Sequence, residues 1–184
     1  MVLLESNAIP MGAEAKDFSL VGIDDETYTL DSFSDSDVLV IVFMCNHCPY
    51  VQAIWERLVD LQDRYDPEEV QFVAINPNTA NEDYEEETLD KMKEYADEYE
   101  MNFPYLEDED QTVARDYEAQ CTPDIYVFDG DRKLAYHGRL DDNWKDASLV
   151  EREDLAEAID AILDDEKPSK DQKPSMGCSI KWKG

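Results

Sequence analysis

The stretch VLVIVFMCNHCPYVQAIW, residues 38–55, runs through seven apolar residues, then two cysteines and a histidine, then a proline and renewed apolar spacing. An unbroken, β-branched-rich run of this length reads as a central strand covered on both faces. Pro49 suits the first turn of a helix. Val51, Ile54, Trp55, Leu58 and Leu61 recur at three- and four-residue spacing, so a helix over 49–64 follows. Cys45-Asn46-His47-Cys48 therefore stands at a strand-to-helix edge, and the chemistry of that edge is the question the chain poses.

Working outward, DFSLVGIDDETYTL predicts a hairpin of strands 18–23 and 27–30 across Asp24-Asp25. Residues 70–76 form the next apolar strand, closed by Asn76-Pro77-Asn78. Residues 83–100 show a helical stripe of Leu89, Met92, Tyr95, Ala96 and Tyr99 among carboxylates. Strand, helix, strand, helix in this order predicts a parallel βαβ unit. A short helix over 112–119, a hairpin of 125–129 and 133–139 around Gly130-Asp131, and a helix over 149–163 complete a single domain over 1–166. Residues 167–184, KPSKDQKPSMGCSIKWKG, hold two prolines, five lysines and no periodicity. They read as a tail, and Cys178 and Trp182 at its far end point to docking on the domain.

The chain has 184 residues, and 46 Asp and Glu against 16 Lys and Arg give a formal charge of −30. A surface of that sign repels phosphates and anionic headgroups, so neither nucleic acid nor membrane is an expected partner. The acids are spread among apolar positions, as in DPEEV and NEDYEEETLD, which suggests adaptation to high salt. The N-terminal MVLLESNAIPMG has neither a basic start nor a long apolar run, so a cytoplasmic address is the expectation. In that compartment four cysteines point to catalysis or metal binding rather than to a disulfide framework.

Three readings of Cys45-Asn46-His47-Cys48 compete. At a helix N-terminus, free N–H groups and the macrodipole would stabilise a Cys45 thiolate, Cys48 would lie one turn away, and His47 would lower the thiol pKa. That is a redox-active dithiol. Alternatively Met44, Cys45, His47, Cys48 and Cys121 offer soft donors for copper or zinc, although no second CxxC accompanies the first. The third reading is a pair of buried, inert thiols.

Strand, CxxC, helix and a distant Thr122-Pro123 before IYVFD resemble the thioredoxin superfamily. CNHCPYV, AINPN, FPYLEDEDQTVARDYEAQCTPDIYVFD, HGRLDD and PSMGCSIKW resemble its peroxiredoxin-like, AhpC/TSA-type branch, which is related to TlpA-like redoxins. The resemblance covers nearly the whole chain. It implies a three-layer α/β/α sandwich with an N-terminal hairpin and a strand-helix insertion between CxxC and the cis-proline. It further implies that Cys45 attacks, Cys48 resolves, Pro123 is the cis-proline and the Thr122 backbone pairs with an extended substrate. Cys121 and Cys178 are possible auxiliary thiols. His137 reads as a packing or surface histidine, and Arg139 with Asp141 and Asp142 as a turn.

Two family features are missing. The P-x-x-x-T/S-x-x-C peroxide motif is replaced by Val38 and Val42 before Cys45, and by Ile41 and Cys45 before Cys48. The strand before the CxxC carries no Asp, leaving a carboxylate from elsewhere, or His47, to assist proton transfer. The expected function is thiol–disulfide exchange on protein or small-molecule disulfides, with a thiol reductant, no resident cofactor and no metal. A thiol-dependent peroxidase and a soft-metal carrier are the alternatives.

Overall fold

The computed structural model describes residues 2–79, 81 and 83–183; Met1, Ala80, Glu82 and Gly184 lie outside the described residues. The strands are β1 Leu3–Glu5, β2 Ser19–Gly22, β3 Thr27–Thr29, β4 Val38–Phe43, β5 Val70–Asn76, β6 Tyr105–Glu107, β7 Cys121–Thr122, β8 Asp124–Phe128, β9 Leu134–Gly138 and β10 Met176–Ser179. The helices are α1 Pro49–Gln52, α2 Trp55–Asp63, α3 Leu89–Glu98, α4 Thr112–Asp116 and α5 Asp154–Leu163.

Every residue of β4 is buried, as a strand covered on both faces requires. It pairs in parallel with β5 and antiparallel with β8, in the interior of a seven-stranded sheet ordered β3-β2-β6-β5-β4-β8-β9. Alternation along β4 divides the core. Val38, Val40 and Val42 pack with Trp55, Leu58, Met92, Leu155 and Ile159 from α2, α3 and α5, while Leu39, Ile41 and Phe43 pack with Phe18, Phe33, Val113 and Tyr117 on the other face. Helices therefore cover both sides, and the first βαβ unit lies where the sequence places it.

Four helices differ from the sequence reading. The helix expected over 49–64 is broken between α1 and α2, where Arg57 Nη2 takes the Ala53 carbonyl at 3.0 Å, competing for an acceptor of the helix ladder. The helix expected from 83 begins only at Leu89, because Thr88 caps it through Lys91 N–H and Glu85–Glu87 form a separate 3-10 turn. The helix expected from 149 begins at Asp154, after a 3-10 turn Ala147–Leu149 capped by Asp146. The 112–119 helix closes at Asp116, two residues before Glu118 adopts a left-handed backbone.

A second sheet, β1-β10-β7, escaped the sequence reading because each of its strands has four residues or fewer. Within it Cys178 stands opposite Thr122 and Ser179 opposite Cys121. Gly177 permits the approach. A Cβ there would run into the Thr122 carbonyl, so β10 could not lie this close with any other residue.

Candidate active site

The end of β4, the start of α1, the β7 edge and β10 converge on three sulfurs. Cys45 Sγ lies 3.3 Å from Thr122 Oγ1, Cys48 Sγ lies 3.2 Å from the Thr122 carbonyl, and Cys48 and Cys178 approach to 2.8 Å between sulfurs. All three are buried. The peptide Thr122–Pro123 is cis, and it sets this loop against the cysteines. Cys121 is also buried, and its sulfur points at the Pro123 carbonyl at 3.7 Å.

The cap residue of α1 is Cys48, and Cys45 lies three residues ahead of that cap. This reverses the charge expected within the pair. Burial, the neighbouring Cys48 and the negative Glu87 push the Cys45 thiol well above the ordinary range. The Cys48 thiol is pulled down, first by the Cys45 thiol and against its burial, then by the Cys178 thiol and the N–H groups of Val51 and Cys178. Burial and the adjacent Cys48 raise Cys178 to about 12. As a thiol, Cys48 donates to Thr122 O; as a thiolate, it is met by two thiols and two N–H groups.

Beneath the motif lies Glu87, a wholly buried carboxylate that sequence reading missed. Its Oε1 accepts the His47 N–H at 2.9 Å and His47 Nδ1, and its Oε2 accepts the Asn46 N–H at 3.0 Å and Asn76 Nδ2 at 2.8 Å. Burial alone would raise its pKa, but these four donors outweigh burial and hold it below the ordinary carboxylate value. β4 itself carries no carboxylate, and Glu87 is the buried one held against the CxxC loop. Its position in a run of glutamates hid it, since nothing in EEET marks which acid turns inward. Asn46 completes the cradle, with its Oδ1 accepting Tyr105 O–H at 2.8 Å and its Nδ2 donating to Glu86 O at 2.8 Å. The His47 ring stacks on Tyr84, with centroids 5.1 Å apart.

Cys45, His47 and Glu87 present a sulfur, a nitrogen and an oxygen all within 4.8 Å of one another, a donor set of the kind that binds zinc. Each Glu87 oxygen already accepts two hydrogen bonds, so an ion would have to displace part of the cradle.

On the far side of Pro123, Asp124 is buried and bonded to His137 Nε2 at 2.7 Å, with Tyr126 stacked on the imidazole at 4.1 Å. Burial raises the Asp124 pKa and His137 opposes the rise. His137 is thus a buried partner of a carboxylate, which the strand pattern KLAYHGR did not reveal. Arg139 bonds Asp154 through Nε at 2.6 Å, and Asp141 pairs with Arg57. A cleft of about 460 Å³ opens beside Pro123, walled by Tyr50, Ile54, Arg139 and Trp144. Neither this cleft nor a larger hollow of about 810 Å³ is lined by any of the four cysteines.

The family model described as AhpC/TSA family matches residues 11–137, which hold the dithiol, Glu87, the cis peptide and Asp124. The chain belongs to the AhpC/TSA family. This AhpC/TSA chain is similar, at 44% identity, to an uncharacterized conserved protein from Geobacillus kaustophilus, over 100% of this chain and 97% of that one with a TM-score of 0.93. It is 39% identical to a hypothetical protein from Sinorhizobium meliloti, over 98% of each chain with a TM-score of 0.93. A secreted disulfide oxidoreductase from Mycobacterium tuberculosis shares the fold at 19% identity, over 64% of this chain and 79% of that one with a TM-score of 0.54. No curated protein matches. The AhpC/TSA chain has a thioredoxin-like α/β fold, and redox chemistry is the coarse function that the family supports. No helix among the described residues is long and apolar enough to cross a membrane.

Proposed function

We propose that the chain is a thiol–disulfide oxidoreductase working through Cys45 and Cys48. The observation that carries this reading is the placement of both thiols of the CxxC pair against the cis Thr122–Pro123 peptide, with Cys45 Sγ 3.3 Å from Thr122 Oγ1 and Cys48 Sγ 3.2 Å from the Thr122 carbonyl. Cys48 as thiolate takes the Cys45 proton. Cys45 attacks one sulfur of a substrate disulfide and forms a mixed disulfide, while the proton held on Cys48 passes to the departing sulfur, which leaves as a thiol and returns Cys48 to the thiolate. Cys48 then attacks Cys45 Sγ, the second substrate sulfur leaves, and a Cys45–Cys48 bridge remains for a thiol reductant to reopen. Protein or small-molecule disulfides are the substrates.

The test is trapping. The Cys48→Ser chain, mixed with a disulfide substrate, accumulates a Cys45 adduct detectable by intact mass; absence of an adduct with both peptide and small disulfides rejects the reading. The peroxidase alternative draws less support, because the positions of the peroxide motif are fully buried, hydroxyl-free strand residues, Val38 and Val42. Peroxide consumption no faster than that of a free thiol would remove it. The Cys45–His47–Glu87 donor set favours zinc as a second reading, which metal content after purification under reducing conditions decides.

A further inference from the structure

The oxidoreductase reading uses two thiols, yet a third touches them. Cys178 belongs to β10, whose pairing with β7 places it directly opposite Thr122, on the edge where an extended substrate was expected. Its sulfur lies 2.8 Å from Cys48 Sγ, less than 1 Å beyond the roughly 2.05 Å of a disulfide bond. The placement is built into the chain. Gly177 leaves out the Cβ that would run into the Thr122 carbonyl, and β1 pairs with the opposite edge of β10 through Leu3, Leu4 and Glu5. Lys181 N–H bonds Asn78 Oδ1 at 2.9 Å, which anchors the chain just beyond the strand.

We propose that Cys178 is a third redox thiol, which receives the disulfide from the Cys45–Cys48 pair and stores it as a Cys48–Cys178 bridge. The inference rests on the oxidoreductase reading. Cys178 sulfur attacks Cys48 Sγ, the Cys45–Cys48 bond breaks, and the proton lost by Cys178 passes to the departing Cys45. No electrons are gained or lost in this exchange. The two electrons that reduced the substrate disulfide are matched by oxidation of the Cys48 and Cys178 thiols, and Cys45 returns as a thiol. A dithiol reductant attacking Cys178 or Cys48 then restores the reduced chain. The bridge also ties β10 covalently to the start of α1.

Mapping disulfides in the full-length chain tests this. The reduced protein is oxidised with excess oxidised glutathione, capped with N-ethylmaleimide, digested without reductant and analysed by mass spectrometry. The expected result is a Cys48–Cys178 bridged peptide pair in wild type and, in Cys45→Ser, the same bridge with loss of two free thiols. Wild type bridged only between Cys45 and Cys48 overturns the role of Cys178 and leaves the oxidoreductase reading standing; wild type with no intramolecular bridge overturns both. The wild-type map needs no substitution, so it decides the matter even where Cys45→Ser fails to fold.

Discussion

Glu87 accepts both the backbone N–H and the ring nitrogen of His47, so one buried carboxylate fixes the backbone and the side chain of a residue 40 positions away. A neutral isostere presents an amide group to donors that need an acceptor. Glu87→Gln is expected to destabilise the fold by about 3 kcal/mol, read from the urea midpoint at neutral pH. The folded-state pKa of Glu87 is depressed, so its stabilisation is present above the unfolded carboxylate value and lost as pH falls through the folded one. The gap between wild type and Glu87→Gln therefore narrows in acid.

The thiols and N–H groups around Cys48 pull its pKa down and favour its thiolate. Thiolate absorbance at 240 nm rises in wild type well below the ordinary thiol pKa of about 8.5, towards about 5, and Cys48→Ser loses that step. A depressed thiol pKa stabilises the fold above the unfolded thiol value and ceases to do so as pH falls towards the folded one. The stability difference between wild type and Cys48→Ser is expected to shrink from pH 8.5 to 5, and a constant difference would contradict this assignment.

His137 keeps the Asp124 charge tolerable inside the core. His137→Ala leaves buried Asp124 without its hydrogen-bond partner, at a cost of about 1–3 kcal/mol. Asp124 has a raised pKa, so its neutral form is favoured on folding; that contribution is present below the unfolded value and lost as pH rises through the folded one. Denaturation of His137→Ala should thus show a smaller deficit at pH 4 than at pH 7.

Gly177→Ala forces β10 away from Thr122. The expected cost is about 1–3 kcal/mol in thermal or urea unfolding, as for overpacking elsewhere. Maleimide labelling of Cys178 in the folded state should accelerate, because the displaced strand exposes its sulfur.

A charge of −30 on 184 residues opposes compaction at low ionic strength. Raising salt from about 0.1 to 1 M shortens the screening length from about 10 to 3 Å, and Tm is expected to climb across that range. A flat Tm would sink the reading of a salt-adapted surface.

Periodicity along the chain determined the seven apolar residues of 38–44 as a central strand, the βαβ order, and Cys45 and Cys48 at its edge. Those features depend on near neighbours in sequence, where a hydrophobic repeat and a proline carry the signal. Tertiary structure decided the rest. Which glutamate of EEET turns inward, that His137 answers Asp124, and that Cys178 meets Cys48 across 130 residues all depend on long-range packing, which leaves no local pattern. The thiol charges were decided the same way. A helix N-terminus was legible in Pro49, but burial of Cys45 beside Glu87 and the donors around Cys48 set the direction of each pKa, and burial is a property of the folded whole.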